Sequence, residues 1–576
     1  MSALPPNRER SQVAKPDKHG MPTFEWSLTD SALTDIVKLV TGPFDVLPVV
    51  FVPGIMGSNL RAKSTKAPLW RLDKGTFGMP WNLVGGFATK GPGPRQRLLH
   101  PDRCEVDPSG AVPKEFAGTV SDKKTYEARG WGSVGEGSYH AFLLWLEQTL
   151  NSVERNPLLW SEYYQDQAAV SAPLKPGEKP RMFPGLRMGM KGQPFAAEKL
   201  NFAPVMSDDL IARSKFLMPV YAVGYNWLAS NDVAAKELLT RITSIVRENN
   251  MGQYRCKQVI LVTHSMGGLV ARACAQRPGA AASIAGIVHG VMPAVGAAVA
   301  YRRCKVGMAD EDFGAGLVIG STGREVTAVF SQAPGALQLL PSKDYAPQWL
   351  RVQDATGKIV ESWPAPEASD PYASVYLKRD RWWGLVNEAW LSPVNGAPIT
   401  WATFEKNVDA AMRFHGELGK FYHSQTFSYY GADPKQKSFE KVTWRMRHGI
   451  ASDKAARPAV GRVVGMSPTQ VRMNGSTPEY VGGKTEYSTY ATPYGSGTNS
   501  YESSYWELHC ELQDGAGDGT VPLSSGSAPL LHGGANLRQQ FRLAGFGHEP
   551  AYNNHLAQRA VLYSITKIAG IAERPQ

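Results

Sequence analysis

Long apolar runs are missing from this chain of 576 residues. The region from Leu33 to Val52 is broken by Asp35, Lys38, Gly42, Pro43 and Asp45. It falls short of the roughly 18 uninterrupted apolar residues that a bilayer-crossing helix needs. Residues 1–20 also lack the apolar stretch of a secretory leader. The expectation is a chain made as a soluble protein in the cytoplasm, with export only by a route that needs no cleavable leader. Cysteine is scarce: Cys104, Cys256, Cys274, Cys304 and Cys510 are scattered, odd in number and form no CxxC pair. That excludes a zinc knuckle and a disulfide framework, and Cys274 reads as a small core residue. No basic run with interleaved aromatics marks a nucleic-acid groove. No internal repeat is visible. The excess of 62 Lys+Arg over 51 Asp+Glu, a net +11, favours anionic surfaces only mildly.

What the chain does have is apolar and aromatic material. Hydrophobic residues make up 43% and charged residues 20%, with 15 Trp, 22 Tyr and 20 Phe. A folded globular protein is expected, and the length suits one core with large insertions. An N-terminal arm is placed at 1–45, polar and Pro-containing over 1–30, and is followed by a near-continuous apolar run at 47–53, the signature of a strand buried on both faces of a parallel sheet. Residues 63–200 lack periodicity except for a helical stretch near 140–150 and read as an insertion. Alternation then returns. Strands are predicted at 216–222, 258–262 and 284–289, with helices at 232–249 and 267–276 between them. In the first helix Val233, Leu238, Leu239, Ile242 and Ile245 recur near helical spacing. This β-α-β-α-β run predicts an α/β protein with a mostly parallel, doubly wound sheet. The first part of the core is thus placed at 46–300 and a cap or lid insertion at 301–500. The closing core segment, 501–576, holds strands at 505–512 and about 539–544 and a helix at 554–568. The Gly/Ser/Tyr-rich tract at 477–505 reads as a mobile loop or lid edge.

The segment Ile260-Leu261-Val262-Thr263-His264-Ser265-Met266-Gly267-Gly268-Leu269 carries the strongest chemical signal. An apolar strand ends, Ser265 follows on a sharp turn, and a helix of small residues begins. That is the nucleophile elbow of an α/β-hydrolase, G-x-S-x-G, here with Thr263 at the first Gly position. The plainer alternative is a strand–turn–helix junction capped by Ser265. Upstream, Pro53-Gly54-Ile55-Met56-Gly57-Ser58 follows the first strand. A hydrolase needs two backbone N–H donors for the tetrahedral oxyanion, one from the residue after the nucleophile and one from a glycine loop. These are assigned to Met266 and Ile55, with Met56 as the alternative to Ile55.

In this fold the acid follows the nucleophile and the histidine follows the acid. Asp518, among the glycines of Asp514-Gly515-Ala516-Gly517-Asp518-Gly519, is the predicted acid, with Asp514 in reserve. The Asp-Gly pairs also suit ordinary hairpin turns. The Asp514/Asp518 pair does not match a calcium-binding loop, and no metal or cofactor is expected. His548, in a loop beyond a strand, is the predicted base, with His532 and His555 as competitors. His264 would point away from Ser265 Oγ and support the site from behind. Met56, Tyr225 and Trp227 are the substrate-binding candidates. Leu337, Leu339, Leu340, Trp382 and Trp383 are added for an acyl groove, or for plain packing of the cap.

Taken together, Pro53–Ser58, Gly224-Tyr225-Asn226-Trp227, the elbow and Gly517-Asp518-Gly519-Thr520-Val521-Pro522 resemble the lecithin:cholesterol acyltransferase and GPI-inositol-deacylase-like lipases. That group carries Asp where this chain has Asn226. His289-Gly290-Val291-Met292-Pro293, Ala333-Pro334-Gly335-Ala336-Leu337 and His548-Glu549-Pro550-Ala551-Tyr552 are similar to bacterial type VI secretion system lipase effectors. The resemblance implies a phospholipase delivered without a leader, acting in the periplasm of a target cell. It also implies an immunity protein that neutralises the effector and a secretion-apparatus spike component as partners. Two rival readings stand beside it: a cytoplasmic esterase or acyltransferase with a soluble substrate, and an inactive hydrolase fold serving as a binding module.

Overall fold

The computed structural model describes residues 45–72, 90–113, 123–151, 215–311 and 320–575, save 452, 483 and 494, with shorter stretches within 9–40 and 196–213. Most of the arm, and the middle of the insertion expected at 63–200, lie outside the described residues.

Six parallel strands form the central sheet: β1 Val49–Val52, β2 Val220–Ala222, β3 Val259–His264, β4 Ile284–Gly290, β5 Thr426–Gly431 and β6 Leu537–Leu543. Their order in the sheet is β2-β1-β3-β4-β5-β6, so the chain starts near one edge, steps to it, and then winds to the other. All five pairings are parallel. Every residue of β1, β3 and β4 is buried, as the continuous apolar runs require of strands covered on both faces. The pleat sends alternate residues to opposite layers. Val50, Val52 and Leu261 join one core with α2 Asn231–Glu248 and α3 Gly267–Ala275. Val49, Phe51, Ile260 and Val262 join the other, with α1 Ala141–Asn151 and α5 His555–Ile571. This sheet, covered by helices on both sides, is the α/β-hydrolase fold. All five cysteines are buried and unpaired, Cys274 within the first of these cores.

Beyond the sheet, six further strands make a mixed second sheet, in the order Ile359–Trp363, Leu350–Gln353, Val442–His448, Trp506–Cys510, Glu479–Val481 and Val471–Arg472. Its buried residues, among them Trp444, Met446 and Leu508, are continuous with the core of the central sheet.

Three sequence expectations need correcting. Thr426–Gly431 was placed in the cap but is a central strand, buried along its whole length and reached through the crossover helix α4 Trp401–Leu418. Its sequence, Thr-Phe-Ser-Tyr-Tyr-Gly, lacks the aliphatic run that marks the other strands, and Ser428 satisfies its hydroxyl internally by donating to Gln540 Oε1 at 2.9 Å. The strand at 505–512 was placed in the closing core segment. It forms as Trp506–Cys510 in the second sheet, and its alternating half-burial specifies a strand without specifying the sheet that takes it. The tract expected as a loop folds into a hairpin, Lys484–Thr492 against Gly495–Ser503, in unbroken register. Its Thr and Tyr residues suit a pleated surface.

Candidate active site

The chemistry-bearing residues meet beyond the carboxyl ends of the central strands, where ligands bind in open α/β sheets. β3 ends at His264, and Ser265 follows with φ +52°, a left-handed conformation that a non-glycine residue rarely adopts. The strain is held by the surroundings: Ser265 N–H donates to Gly290 O at 2.9 Å, and α3 starts at Gly267. A methyl group on Gly267 would lie 2.4 Å from Pro53 O and 2.5 Å from Val52 O, so the elbow closes only with glycine there. Thr263, at the position where the usual motif has glycine, is fully buried and shares a hydrogen bond with His289 Nδ1 at 3.1 Å. Its carbonyl accepts from the Tyr552 hydroxyl at 2.6 Å.

His548 follows β6 and reaches back across the site. Its Nε2 lies 2.9 Å from Ser265 Oγ, and its Nδ1 lies 2.8 Å from Asp518 Oδ2. Asp518 is 1% exposed. Its Oδ1 accepts from the N–H groups of Thr520 at 3.0 Å and Val521 at 2.7 Å. With the carboxylate only accepting, Nδ1–H must donate to Oδ2, which leaves the Nε2 lone pair facing Ser265 Oγ–H. The acid is seated against the end of β5, where a methyl on Gly431 would come within 2.7 Å of Asp518 Cβ.

The competitors lie elsewhere. Asp514 Oδ1 accepts from the N–H groups of Glu440 and Lys441, each at 3.0 Å. His532 closes the helix Leu523–His532, and His555 opens α5 with its side chain exposed.

The glycine loop after β1 turns tightly: Gly57 N–H donates to Gly54 O at 3.1 Å, and Met56 sits third in the turn with φ +62°. A type II turn demands positive φ at that place. Trp70 Nε1–H holds Met56 O at 2.7 Å. Among the described residues, neither Ile55 N–H nor Met266 N–H finds an acceptor within the protein. A methyl on Gly54 would fall 2.8 Å from His264 Nδ1 and 3.0 Å from Ser265 Cβ, so loop and elbow are in direct contact. Gly54→Ala is therefore expected to push the two apart and to slow labelling of Ser265 by a fluorophosphonate about 10²-fold, the effect of an ångström-scale misplacement. Labelling at the wild-type rate would show that the loop shifts without disturbing Ser265.

Tyr225 and Trp227, named from sequence as substrate contacts, are buried structural residues here. The Tyr225 hydroxyl donates to Pro53 O at 3.0 Å and its N–H to Ser58 Oγ at 3.0 Å, bracing the glycine loop from behind. Trp227 is 1% exposed and packs edge-on against Trp70 at 5.3 Å. Leu337, Leu340, Trp382 and Trp383 are likewise buried core, and Leu339 is partly buried against it. Ile55 and Met56 alone among the named loop residues keep half-buried side chains. Tyr139 was not anticipated at all. Its hydroxyl sits between Gly54 N at 3.2 Å and His264 Nδ1 at 3.0 Å, and no local motif in the sequence announces it.

Comparison with known proteins agrees with this architecture. Residues 224–306 match the PGAP1-like alpha/beta domain family. A chain solved in the crystal structure of the Tle4–Tli4 complex superimposes with a TM-score of 0.69 at 29% sequence identity, over 92% of this chain and 99% of that one. Curated protein sequences yield no match. The chain has an α/β-hydrolase fold of the esterase and lipase kind. The resemblance to type VI lipase effectors, first carried by short motifs, extends over nearly the whole molecule. No described helix is long and apolar enough to cross a membrane.

Proposed function

We propose that the protein is a serine phospholipase that hydrolyses acyl esters of membrane phospholipids through Ser265, His548 and Asp518. The observation that carries this reading is the continuous hydrogen-bonded line from Asp518 Oδ2 through His548 to Ser265 Oγ, at 2.8 and 2.9 Å. Ser265 Oγ attacks the acyl carbonyl carbon as its proton passes to His548 Nε2. The oxyanion is met by Ile55 N–H and Met266 N–H, at the positive end of α3. The intermediate collapses, and the leaving alcohol takes the proton from His548. Water, deprotonated by His548, then releases the fatty acid and restores Ser265. Asp518 keeps Nδ1 protonated and stabilises the imidazolium.

A lipid substrate is supported by the likeness to the Tle4 chain and by the near-complete burial of Ser265, 4% exposed. Such a site takes a substrate that tolerates desolvation, and the half-buried side chains of Ile55 and Met56 on the adjoining glycine loop offer apolar contact. The solved relative is half of a two-protein complex. We extend this to the present chain as an antibacterial effector, delivered with a spike component to the target periplasm and neutralised there by an immunity protein.

The test uses anionic phospholipid vesicles and a soluble short-chain ester side by side, with products identified by mass and the fluorophosphonate adduct mapped. Fatty acid released from vesicles and an adduct on Ser265 are expected. Hydrolysis of the soluble ester alone would favour an esterase of soluble substrates. No turnover of either, with no adduct, would favour an inactive binding module.

A further inference from the structure

The histidine beside the nucleophile is 3% exposed, and the mechanism above gives it no part. Its ring is held at both nitrogens. His264 Nε2 lies 2.9 Å from the main-chain carbonyl of His548, and Nδ1 lies 3.0 Å from the Tyr139 hydroxyl. That hydroxyl in turn meets Gly54 N–H at 3.2 Å. The direction of every bond is determined. A carbonyl only accepts, so Nε2 carries the proton; Nδ1 then has only a lone pair, so Tyr139 must donate to it. The one remaining role of the Tyr139 oxygen toward Gly54 is acceptor. Burial, aided by neighbouring His548, pushes the His264 pKa down to about 3. The ring is therefore neutral wherever the enzyme would work.

Three bonds thus run without a break from the glycine loop that supplies one oxyanion donor to the loop that carries the base. They pass through the residue adjoining Ser265. The aromatic packing fixes the same parts: Tyr139 lies 4.9 Å from Phe51 of β1 and 5.5 Å from His264, and His264 lies 5.2 Å from His548, centroid to centroid. Tyr139 itself sits on a π-helical turn, Glu136–His140, leading into α1, a local irregularity that often marks a functional position.

We propose that Tyr139 and His264 are positioning residues, a neutral hydrogen-bonded strut that sets the oxyanion loop and the His548 loop against Ser265 as one unit. The proposal rests on the triad reading given above. Its particular content is that the two residues act together and in the chemical step, not in substrate binding or in holding the fold.

Tyr139→Phe tests it with little disturbance, because the ring and its packing on Phe51 remain and only the hydroxyl is lost. On a soluble short-chain ester, kcat is expected to fall about tenfold with KM nearly unchanged, the pattern of an interaction realised in the transition state, while the melting temperature falls by only a few degrees for the two buried groups left without the hydroxyl. His264→Ala is expected to lose about 10²-fold in kcat. His264→Gln, which restores an amide donor and an acceptor, should recover part of that loss. Residues acting as a unit give strongly non-additive losses, so the Tyr139→Phe/His264→Ala double variant should be little worse than His264→Ala alone. Multiplying losses, or a change confined to KM or melting temperature, would overturn the strut. Ser265→Ala separates this from the parent reading. An active Ser265→Ala enzyme refutes the triad, whereas an inactive one beside a fully active Tyr139→Phe refutes only the strut.

Discussion

Ser265→Ala is expected to lower kcat/KM by about 10⁵-fold or more while leaving a folded protein. Removing the nucleophile of a serine hydrolase costs nearly the whole benefit of the triad, and what survives is the roughly 10³-fold contribution of the oxyanion donors and of binding. The fold should tolerate the change. Among the described residues Ser265 Oγ hydrogen-bonds to His548 alone, and its backbone bond to Gly290 O is untouched. Alanine has the same Cβ and meets the same cost at φ +52°. The melting temperature should therefore stay within a few degrees of wild type. Ester hydrolysis and fluorophosphonate uptake, measured together, check the result. Retained hydrolysis would mean that another residue attacks the ester.

The second large effect is expected from Asp518→Asn, at about 10⁴-fold in kcat, again without unfolding. The side chain keeps its shape. The Oδ1 position stays an acceptor for the N–H groups of Thr520 and Val521, so the amide NH2 is directed to the place of Oδ2, 2.8 Å from His548 Nδ1. A donor there selects the imidazole tautomer whose Nδ1 accepts. Its Nε2 then carries hydrogen toward Ser265 Oγ and has no lone pair with which to take the serine proton. Loss of the carboxylate also removes the charge that stabilises the imidazolium. Thermal unfolding within a few degrees of wild type, combined with the 10⁴-fold loss, would separate this tautomeric effect from a packing effect. A variant retaining a tenth of the activity would show that Asp518 does not orient His548.

How much of this was legible in the sequence depended on how local the governing physics is. The apolar runs behind β1, β3 and β4 declared a sheet buried on both faces, since a doubly covered strand has no polar face to show. β5 escaped because its residues are mostly aromatic and polar, and its burial depends on partners such as Gln540 that lie far along the chain. Trp506–Cys510 was readable as a strand and not as a member of the second sheet, because pairing is chosen by neighbours and not by the strand's own pattern. Tyr225 and Trp227 look alike in sequence whether they face a ligand or the protein interior. Only their partners, Pro53 O, Ser58 Oγ and Trp70, distinguish the two.

The site divides along the same line. Ser265, Asp518 and His548 could be chosen from the chain alone, because an elbow, a glycine-flanked acid and a loop histidine each answer to short-range backbone rules and follow the order this fold imposes. The sequence by itself therefore determined the hydrolase class and a set of candidate groups. Tertiary structure alone decided which of them meet, at 2.9 and 2.8 Å, and which were bracing. It alone brought Tyr139 to His264 and Gly54. Hydrogen bonds act over about 3 Å of space whatever the separation along the chain, and no local pattern of residues records a contact of that kind.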